Sequence, residues 1–259
     1  MTGMFDLTGQ VAVVTGGSRG IGFAMAAGLA QCGSDVVIWD IDPDRNDEAA
    51  ARLAEHGTRV GAMTVDVSDE DAVVVAMAAV AEDMGRIDTA IANAGVSGGP
   101  ATMLDLDGAE LRRVLAVNLD GMFFTLREAA RAMQQRAKAG EPGGSLIGQS
   151  SLQAMHGNPA REHYGASKGA TISVIKGMAV EFGRWGIRAN AIMPGFIATD
   201  MNVAGQQDKV LNEKVVGRLP IRRWGTPDDI AGLAVYLASD AARYQSGTAI
   251  EIDGGYSAL

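Results

Sequence analysis

Short runs of apolar, mostly β-branched residues alternate along the chain with longer runs of helical composition. The short runs predict seven strands at residues 11–15, 35–40, 59–66, 87–95, 145–151, 187–195 and 248–253. The longer runs predict helices at residues 20–32, 43–56, 69–84, 107–137, 161–184 and 227–239. Continuous apolar strands that alternate with helices are typical of a parallel sheet covered on both faces. The pattern therefore predicts a doubly wound α/β fold, with a seven-stranded parallel sheet in a three-layer α/β/α arrangement.

The 259 residues contain no proline-rich or serine-rich linker and no internal repeat, so we expect a single domain over residues 1–259. Residues 196–220 lie between the sixth predicted strand and the last predicted helix and show no clear strand pattern. A long insertion at that point indicates either a substrate lid or an ordinary surface excursion, and the sequence leaves both open.

Charge and cysteine content narrow the class of protein. Lys and Arg number 22 against 31 Asp and Glu, which gives a net charge of −9 without any basic cluster. Such a chain is not expected to bind nucleic acid or an anionic membrane. Cys32 is the only cysteine, so the chain forms no internal disulfide and no thiolate metal cluster, and a reducing cytoplasm fits.

Neither of the segments that could target or anchor the chain has the required pattern. The first ten residues, MTGMFDLTGQ, lack the basic start and apolar stretch of a signal peptide. The most apolar run covers residues 72–81 and is ten residues long. A membrane span needs about 20 residues, so this run predicts a buried helix.

A glycine-rich turn follows the first predicted strand. Residues 11–22 read VAVVTGGSRGIG, which places Gly16, Gly20 and Gly22 between a strand and an apolar helix. Glycines at such a turn let the backbone approach a pyrophosphate at the positive end of the helix. The alternative is a tight strand-to-helix turn that binds no ligand.

Asp40 bears on the choice between dinucleotides. It ends the second predicted strand, twenty residues after Gly20, where a carboxylate can accept hydrogen bonds from ribose hydroxyls. A 2′-phosphate there would meet a like charge, so Asp40 favours NAD over NADP. Arg19 in the glycine-rich turn favours NADP instead, because a basic side chain there can meet a phosphate.

The segment HYGASK, residues 163–168, places Tyr164 and Lys168 four residues apart. If the segment begins a helix, the phenol and the ammonium lie on one face, one turn apart. Taken alone, this spacing also occurs by chance in many helices. The other motifs of the chain decide between the two interpretations.

Seven motifs in order along residues 8–256 resemble those of the short-chain dehydrogenase/reductase family, which implies a Rossmann fold. They are TGGSRGIG (15–22), NAG (93–95), Asn118 within VNLDG, Ser151, Tyr164 with Lys168, Pro194 and Gly195 with Thr199, and the segments 225–240 and 252–255. The resemblance implies an NAD(P)-dependent oxidoreductase. It also implies four catalytic residues: Asn118, Ser151, Tyr164 and Lys168.

Hydride transfer to or from a carbinol carbon requires a proton to move on the oxygen, and the resemblance gives that task to Tyr164. Positive charge from Lys168 and from an oxidised nicotinamide is expected to lower the tyrosine pKa towards neutrality. Ser151 would hold the substrate oxygen. Neighbouring strand residues face opposite sides, so Ser150 competes, and the family spacing selects Ser151. Asn118 is expected to anchor a water, to bond a neighbouring backbone, or both.

The resemblance also implies a set of cofactor-binding residues. They are Gly16, Ser18, Arg19, Gly20, Ile21, Gly22, Asp40, Ile41, Asp66, Val67, Asn93, Ala94, Gly95, Tyr164, Lys168, Pro194, Gly195, Ile197 and Thr199. Within this set Asp66 would meet the adenine amino group. Its alternative role is to cap the helix that starts near Asp69.

The histidines are not expected to be catalytic or metal-binding. His163 directly precedes Tyr164, so helical geometry turns it about 100° away and predicts packing at the helix start. His156 lies in the loop before the catalytic helix, either as a pocket wall or as an exposed loop residue. With three histidines and no cluster of His with carboxylates, we expect no metal site.

The predicted substrate pocket is semi-polar, with Ser97 at its edge, and fits a small secondary alcohol or ketone such as a polyol, sugar acid or cyclic alcohol. Its predicted residues are Ser151, Gln153, Met155, Asn158, Tyr164, Phe196 and Met201.

Two alternative functions remain. The first is an NADPH-dependent 3-oxoacyl-[acyl-carrier-protein] reductase. Three features disfavour it: Asp40, the net charge of −9, and Val180 in place of a carrier-binding arginine. Arg127 and Arg131, however, offer a local basic patch. The second is a nucleotide-binding scaffold without turnover, which would not need Ser151 or Tyr164. By analogy with the family, the helices at 107–137 and 161–184 would form a homotetramer.

Overall fold

The computed structural model describes residues 3–258, apart from the side chain of Ala204, and contains the predicted seven-stranded parallel sheet. The strand order is β3-β2-β1-β4-β5-β6-β7. The strands are β1 Val11–Thr15, β2 Asp35–Asp40, β3 Val60–Thr64, β4 Thr89–Ala92, β5 Gly144–Gln149, β6 Ile187–Pro194 and β7 Ala249–Ile252. The doubly wound α/β prediction is confirmed, and each strand lies within one residue of its predicted range or inside it.

Nine helices connect or follow these strands within the described residues. They are α1 Gly20–Gln31, α2 Pro43–Ala54, α3 Glu70–Met84, α4 Gly108–Leu115, α5 Gly121–Lys138, α6 Glu162–Phe182, α7 Val203–Gln207, α8 Lys209–Arg218 and α9 Asp228–Ala238. The helix predicted over 107–137 is present over 108–138, and a π-helical turn at Ala116–Asp120, which was not predicted, divides it into α4 and α5. Helices α7 and α8 lie in the segment 196–220, where no helix was predicted.

Alternate residues of the strands face two separate cores, which makes the fold a three-layer sandwich. Val11 and Val13 of β1 pack with apolar residues of α3, α5 and α6. Ala12 and Val14 pack on the opposite face with residues of α1, α2 and α9. Burial on both faces explains why the central strands β1, β2 and β4 are mostly apolar and do not alternate with polar residues.

The strand order reverses next to β1, which pairs with β2 on one side and with β4 on the other. In open parallel sheets the connections diverge at this point and leave a crevice at the carboxyl ends of the strands. The glycine-rich turn, Asp40 and the NAG segment all follow strands at this edge. No helix among residues 3–258 is long and apolar enough to cross a membrane, and the apolar run 72–81 lies inside α3.

Candidate active site

The glycine-rich turn adopts backbone conformations that favour glycine. Gly16 and Gly20 have φ angles of +62° and +55°, in the left-handed region. A β-carbon on Gly22 would collide with the carbonyl oxygen of Gly16, because α1 begins directly against the end of β1. Glycine at these positions therefore allows the strand to turn sharply into the helix.

The amino end of α1 differs from those of four other helices. Aspartate side chains cap α2, α3, α4 and α8, at Asp42, Asp69, Asp107 and Asp208. The residue at the start of α1, Arg19, makes no capping hydrogen bond, and the first turn holds no acidic residue. A β-carbon on Gly20 would meet only the Thr199 side chain, at 3.7 Å. The first backbone N–H groups of α1 therefore lack a side-chain cap, which fits the pyrophosphate of a dinucleotide.

Asp40 ends β2 beside the glycine-rich turn, as predicted. Its Oδ2 accepts a hydrogen bond from the Ser18 hydroxyl at 2.6 Å, and its Oδ1 accepts one from the backbone N–H of Ile41 at 2.9 Å. Arg19 faces away from it, with its Nη1 3.6 Å from Asp200 Oδ2. The negative charge of Asp40 is thus held beside the glycine-rich turn without a cationic partner among the described residues.

The structure distinguishes between the two predicted roles of Asp66, contact with adenine and capping of α3. Asp69 caps α3 by accepting a hydrogen bond from the backbone N–H of Ala72, so Asp66 as the cap of that helix is wrong. The Oδ1 of Asp66 accepts hydrogen bonds from the backbone and hydroxyl of Ser68, at 2.9 Å and 2.7 Å. Asp66 is exposed and Val67 is buried, so the acid remains accessible at the cofactor edge.

The NAG segment is joined to the glycine-rich turn. The amide Nδ2 of Asn93 donates to the carbonyl oxygens of Thr15 and Gly16, at 2.9 Å and 3.1 Å. The backbone N–H groups of Asn93 and Ala94 donate to the hydroxyl of Thr15, each at 3.0 Å. Thr15, at the carboxyl end of β1, was not among the site residues predicted from the sequence. It holds the ends of β1 and β4 together.

The remaining predicted cofactor residues divide into exposed and buried ones. Thr199 lies against the glycine-rich turn, whereas Ile197 is only 5% exposed and packs into the second core. Ile21 packs partly against the same core, and the Ile41 side chain is 69% exposed. Gly195, after Pro194 at the end of β6, lies tightly against the backbone of Asp253. Ile197 can therefore meet a cofactor only through its backbone.

Tyr164 and Lys168 lie on one face of α6, as the spacing predicts. The Nζ of Lys168 lies 5.7 Å from the centroid of the Tyr164 ring and donates to the carbonyl oxygen of Gln149 at 2.8 Å. Lys168 is 4% exposed, and burial lowers its pKa to about 8. The α6 helix thus places a buried amine next to the phenol at the carboxyl end of β5.

The pKa of Tyr164 differs from the expectation. Burial raises it above its ordinary value, while a hydrogen bond with Ser151 and the charge of Arg161 act in the opposite direction. The predicted lowering by Lys168 is therefore wrong for the protein chain alone, because desolvation of the phenolate dominates. The phenol of the free protein is held in its protonated form.

Ser150 and Ser151 point in different directions, as strand alternation predicts. The Ser150 hydroxyl donates to the carbonyl oxygen of Lys168 at 2.8 Å, which fastens α6 to β5. The Ser151 hydroxyl accepts from the backbone N–H of Gln153 at 3.2 Å and lies near enough to the Tyr164 phenol to act on its pKa. Ser151 and Tyr164 are therefore brought together, and Ser150 has a structural role.

Asn118 is buried in the π-helical turn, and its side chain is fully engaged. Its Oδ1 accepts from the backbone N–H of Val96 at 2.8 Å, and its Nδ2 donates to the Val96 carbonyl and the Ser167 hydroxyl. A β-carbon on Gly95 would lie 3.2 Å from Asn118 Oδ1 and 3.5 Å from Lys168 Nζ. Asn118 therefore lies beside Lys168, and its side chain has the predicted role of bonding a neighbouring backbone.

The predicted substrate residues other than Ser151 and Tyr164, which do not line the cleft, fall into two groups. Gln153, Met155 and Asn158 line a cleft of about 710 Å³ along the first turns of α6. Phe196 lies outside that lining and packs against Trp224 and Tyr256, with ring centroids 5.6 Å and 5.1 Å away. Met201 is also outside it and is 57% exposed.

The two histidines near the site differ in their surroundings. His156 Nε2 lies 3.1 Å from the Ser257 hydroxyl, and its ring is edge-on to Tyr256, so it is a wall residue joined to the carboxyl-terminal segment. His163 is 2% exposed and its ring lies against Gly98, as packing at the helix start predicts. No group of three His, Cys, Asp or Glu side chains among residues 3–258 is placed to hold a metal ion.

The chain is similar over nearly its whole length to dehydrogenases and reductases. The family model described as enoyl-(acyl carrier protein) reductase matches residues 15–257. The L-rhamnose 1-dehydrogenase (NAD(P)(+)) of Azotobacter vinelandii is 37% identical, over 96% of this chain and 97% of that protein. The gluconate 5-dehydrogenase of Gluconobacter oxydans is 34% identical, over 97% of this chain and 96% of that protein. A gluconate 5-dehydrogenase from Burkholderia cenocepacia, solved with NADP and tartrate, superposes with a TM-score of 0.94 at 32% identity, over 100% and 99% of the two chains.

Proposed function

Because the chain belongs to the short-chain dehydrogenase/reductase family and is an NAD(P)-dependent oxidoreductase acting on CH–OH groups, we propose that its substrate is a polyol, a sugar-derived alcohol or a cyclic alcohol, with NAD(H) as its preferred cofactor. The observation that carries the proposal is the convergence of Ser151, Tyr164 and Lys168 at the carboxyl end of β5. This is the edge of the sheet where ligands of doubly wound folds bind.

The three side chains divide the proton chemistry. Ser151 holds the substrate oxygen against the Tyr164 phenol, and the phenol gives a proton to a ketone or takes one from an alcohol. Its raised pKa keeps the phenol protonated in the free enzyme. The buried amine of Lys168, when charged, favours the phenolate that alcohol oxidation needs. When bound, the nicotinamide supplies or accepts the hydride.

The preference for NAD rests on Asp40. Its carboxylate is held by Ser18 and the backbone of Ile41 at the place where the adenosine ribose would lie. A 2′-phosphate would meet this charge in an acidic chain, and Arg19 is already paired with Asp200. The other proposed cofactor residues are those along the glycine-rich turn, Asp66 with Val67, the NAG segment, and residues 194–199.

We expect Asp40→Ala to raise kcat/KM for NADP relative to NAD by about tenfold or more, because it removes a like charge beside the 2′-phosphate. Initial rates with both cofactors at a fixed alcohol concentration measure the ratio. Asp71→Ala, which removes an exposed carboxylate from α3, is the control and should leave the ratio unchanged. A wild-type enzyme that already prefers NADP would contradict the assignment.

The carrier-protein alternative loses its main support in the structure. Arg127 pairs with Glu70 and Glu128, and Arg131 pairs with Glu128, so these two arginines do not form a free basic patch. Val180 is 86% exposed at the position where such a reductase would have an arginine. An acidic carrier would therefore meet an acidic or neutral surface.

The proposed function is tested with a panel of polyols, sugars, sugar acids, cyclic alcohols and the corresponding ketones. NADH absorbance is followed in both directions, with NAD and with NADP. Turnover of at least one secondary alcohol or its ketone is the expected result. Cofactor binding without turnover across the whole panel would favour a nucleotide-binding scaffold, and preferred reduction of 3-oxoacyl groups with NADPH would favour the carrier-protein reductase.

The assembly is proposed as a cytoplasmic homotetramer of single-domain subunits. Helices α5 and α6 carry exposed apolar side chains, including Phe123 and Val180, which would be covered in such an assembly. Residues 196–220 are proposed as the substrate lid, and the ion pair between Arg19 and Asp200 joins this segment to the glycine-rich turn. Light scattering of the purified protein, with a mass of four chains expected, tests the tetramer.

A further inference from the structure

Arg161 lies at the start of the catalytic helix, and nothing in the family motifs points to it. It is the residue directly before α6, three residues before Tyr164. Arg161 lines the same cleft as Gln153, which lies two residues after Ser151. The start of α6 therefore places a guanidinium in this cleft, one helical turn before the phenol in the chain.

The guanidinium is held by neutral groups alone. Its Nη1 donates to the carbonyl oxygens of Ser97 and Gly98, at 3.1 Å and 2.5 Å, in the loop that follows β4. Within residues 3–258 no carboxylate lies within ion-pair distance of Arg161, in contrast to Arg113, which is paired with Glu110. Its Nε and Nη2 make no hydrogen bond to the described residues. The positive charge is thus oriented by the backbone but not neutralised.

Two further observations indicate a ligand at this cation. The charge of Arg161 reaches the reacting group, because it acts to lower the pKa of the Tyr164 phenol. The Oε1 of Gln153, on the same cleft, is buried without a hydrogen-bond partner among the described residues. An unpartnered acceptor and a cation with free N–H donors fit a molecule that carries both hydroxyl groups and a carboxylate.

We infer that Arg161 determines substrate specificity by binding a carboxylate of the substrate, so that hydroxy acids are preferred to neutral polyols. The inference rests on the proposed function and narrows its substrate class. A planar guanidinium that is already oriented can bind a carboxylate through two parallel hydrogen bonds. In a chain with a net charge of −9, this local cation would offset the repulsion of an anionic substrate.

The test compares each hydroxy acid with an analogue in which a hydroxymethyl group replaces the carboxylate: gluconate with glucitol, and 4-hydroxycyclohexanecarboxylate with 4-(hydroxymethyl)cyclohexanol. We expect the wild type to prefer the acid. Arg161→Gln should lower kcat/KM for the acid by roughly 10- to 100-fold and for the neutral analogue by less than about threefold, because only the acid loses a charged hydrogen-bond pair. For Arg161→Lys, kcat/KM for the acid should lie between the values for the wild type and for Arg161→Gln, since the charge remains and the paired donors are lost. Arg243→Gln, which removes an exposed arginine outside the cleft, should leave kcat/KM unchanged for both the acid and the neutral analogue.

Equal losses for acid and neutral substrates would mean that Arg161 only positions the loop at Ser97 and Gly98. A wild type that turns over neutral alcohols better than acids would overturn the inference while the proposed function stands. Absence of all turnover would instead overturn the proposed function. In that case, calorimetric titration with gluconate still tests the role of Arg161. Gluconate should bind more weakly to Arg161→Gln than to the wild type, and equally well to Arg243→Gln and the wild type.

Discussion

Tyr164→Phe is expected to lower kcat by at least ~100-fold and to leave the affinity for NADH unchanged. The substitution removes one hydroxyl group from a ring that α6 keeps in place, so the cofactor contacts and the packing remain. What is lost is the hydroxyl group near Ser151 that we propose passes a proton to the substrate oxygen. Steady-state rates and NADH fluorescence titration measure the two quantities separately.

Tyr244→Phe is the matched control, because this tyrosine is fully exposed and removal of its hydroxyl group should not change kcat. Wild-type turnover in Tyr164→Phe would rule out Tyr164 as the acid–base group. Loss of NADH binding together with activity would mean that the ring mainly shapes the cofactor site.

Lys168→Met is expected to lower kcat by at least about tenfold, because it removes the buried amine beside the phenol. The same variant tests the burial of Lys168 through the pH dependence of stability. The folded pKa of this lysine is lowered from 10.5 to about 8. Between these two pH values the unfolded chain binds more protons at this site than the folded protein does.

The free energy of unfolding therefore contains a penalty from Lys168 that is full below pH 8 and is relieved as the pH rises towards 10.5. Urea unfolding at pH 7.5 and 9.5 should show that the wild type gains stability relative to Lys168→Met over this interval. Lys176→Met is the control, since Lys176 is exposed on the same helix. A stability difference that is independent of pH would show that Lys168 is not desolvated.

The central strands β1, β2 and β4 were predictable because they are buried on both faces, so their apolar runs are nearly continuous and bounded by turns. The π-helical turn between α4 and α5 was not predicted; within it Asn118 hydrogen-bonds Val96, 22 residues earlier, a contact that a local pattern does not show. Helices α7 and α8 carry polar, weakly periodic sequences with three exposed apolar residues, Val203, Val210 and Leu211, and a local pattern could not distinguish them from a loop.

The candidate site was predictable where a short local pattern sets the geometry. The spacing of Tyr164 and Lys168 and the alternation of Ser150 and Ser151 both depend on neighbours within one element. The raised pKa of Tyr164 depends on burial by distant segments, which the sequence does not display. Arg161 was missed for a similar reason, because the carbonyl groups that orient it lie 63 and 64 residues earlier in the chain.

We propose that the enzyme transfers hydride directly between a carbinol carbon and the nicotinamide, with Tyr164 moving the proton. An alcohol deuterated at the carbinol carbon, oxidised with NAD and followed by mass spectrometry of the reduced cofactor, tests this transfer. We expect one deuterium in each NADH formed by the wild type, and almost no NADH formed by Tyr164→Phe in the same time. Reduced cofactor without deuterium, or equal labelling by the two proteins, would contradict it.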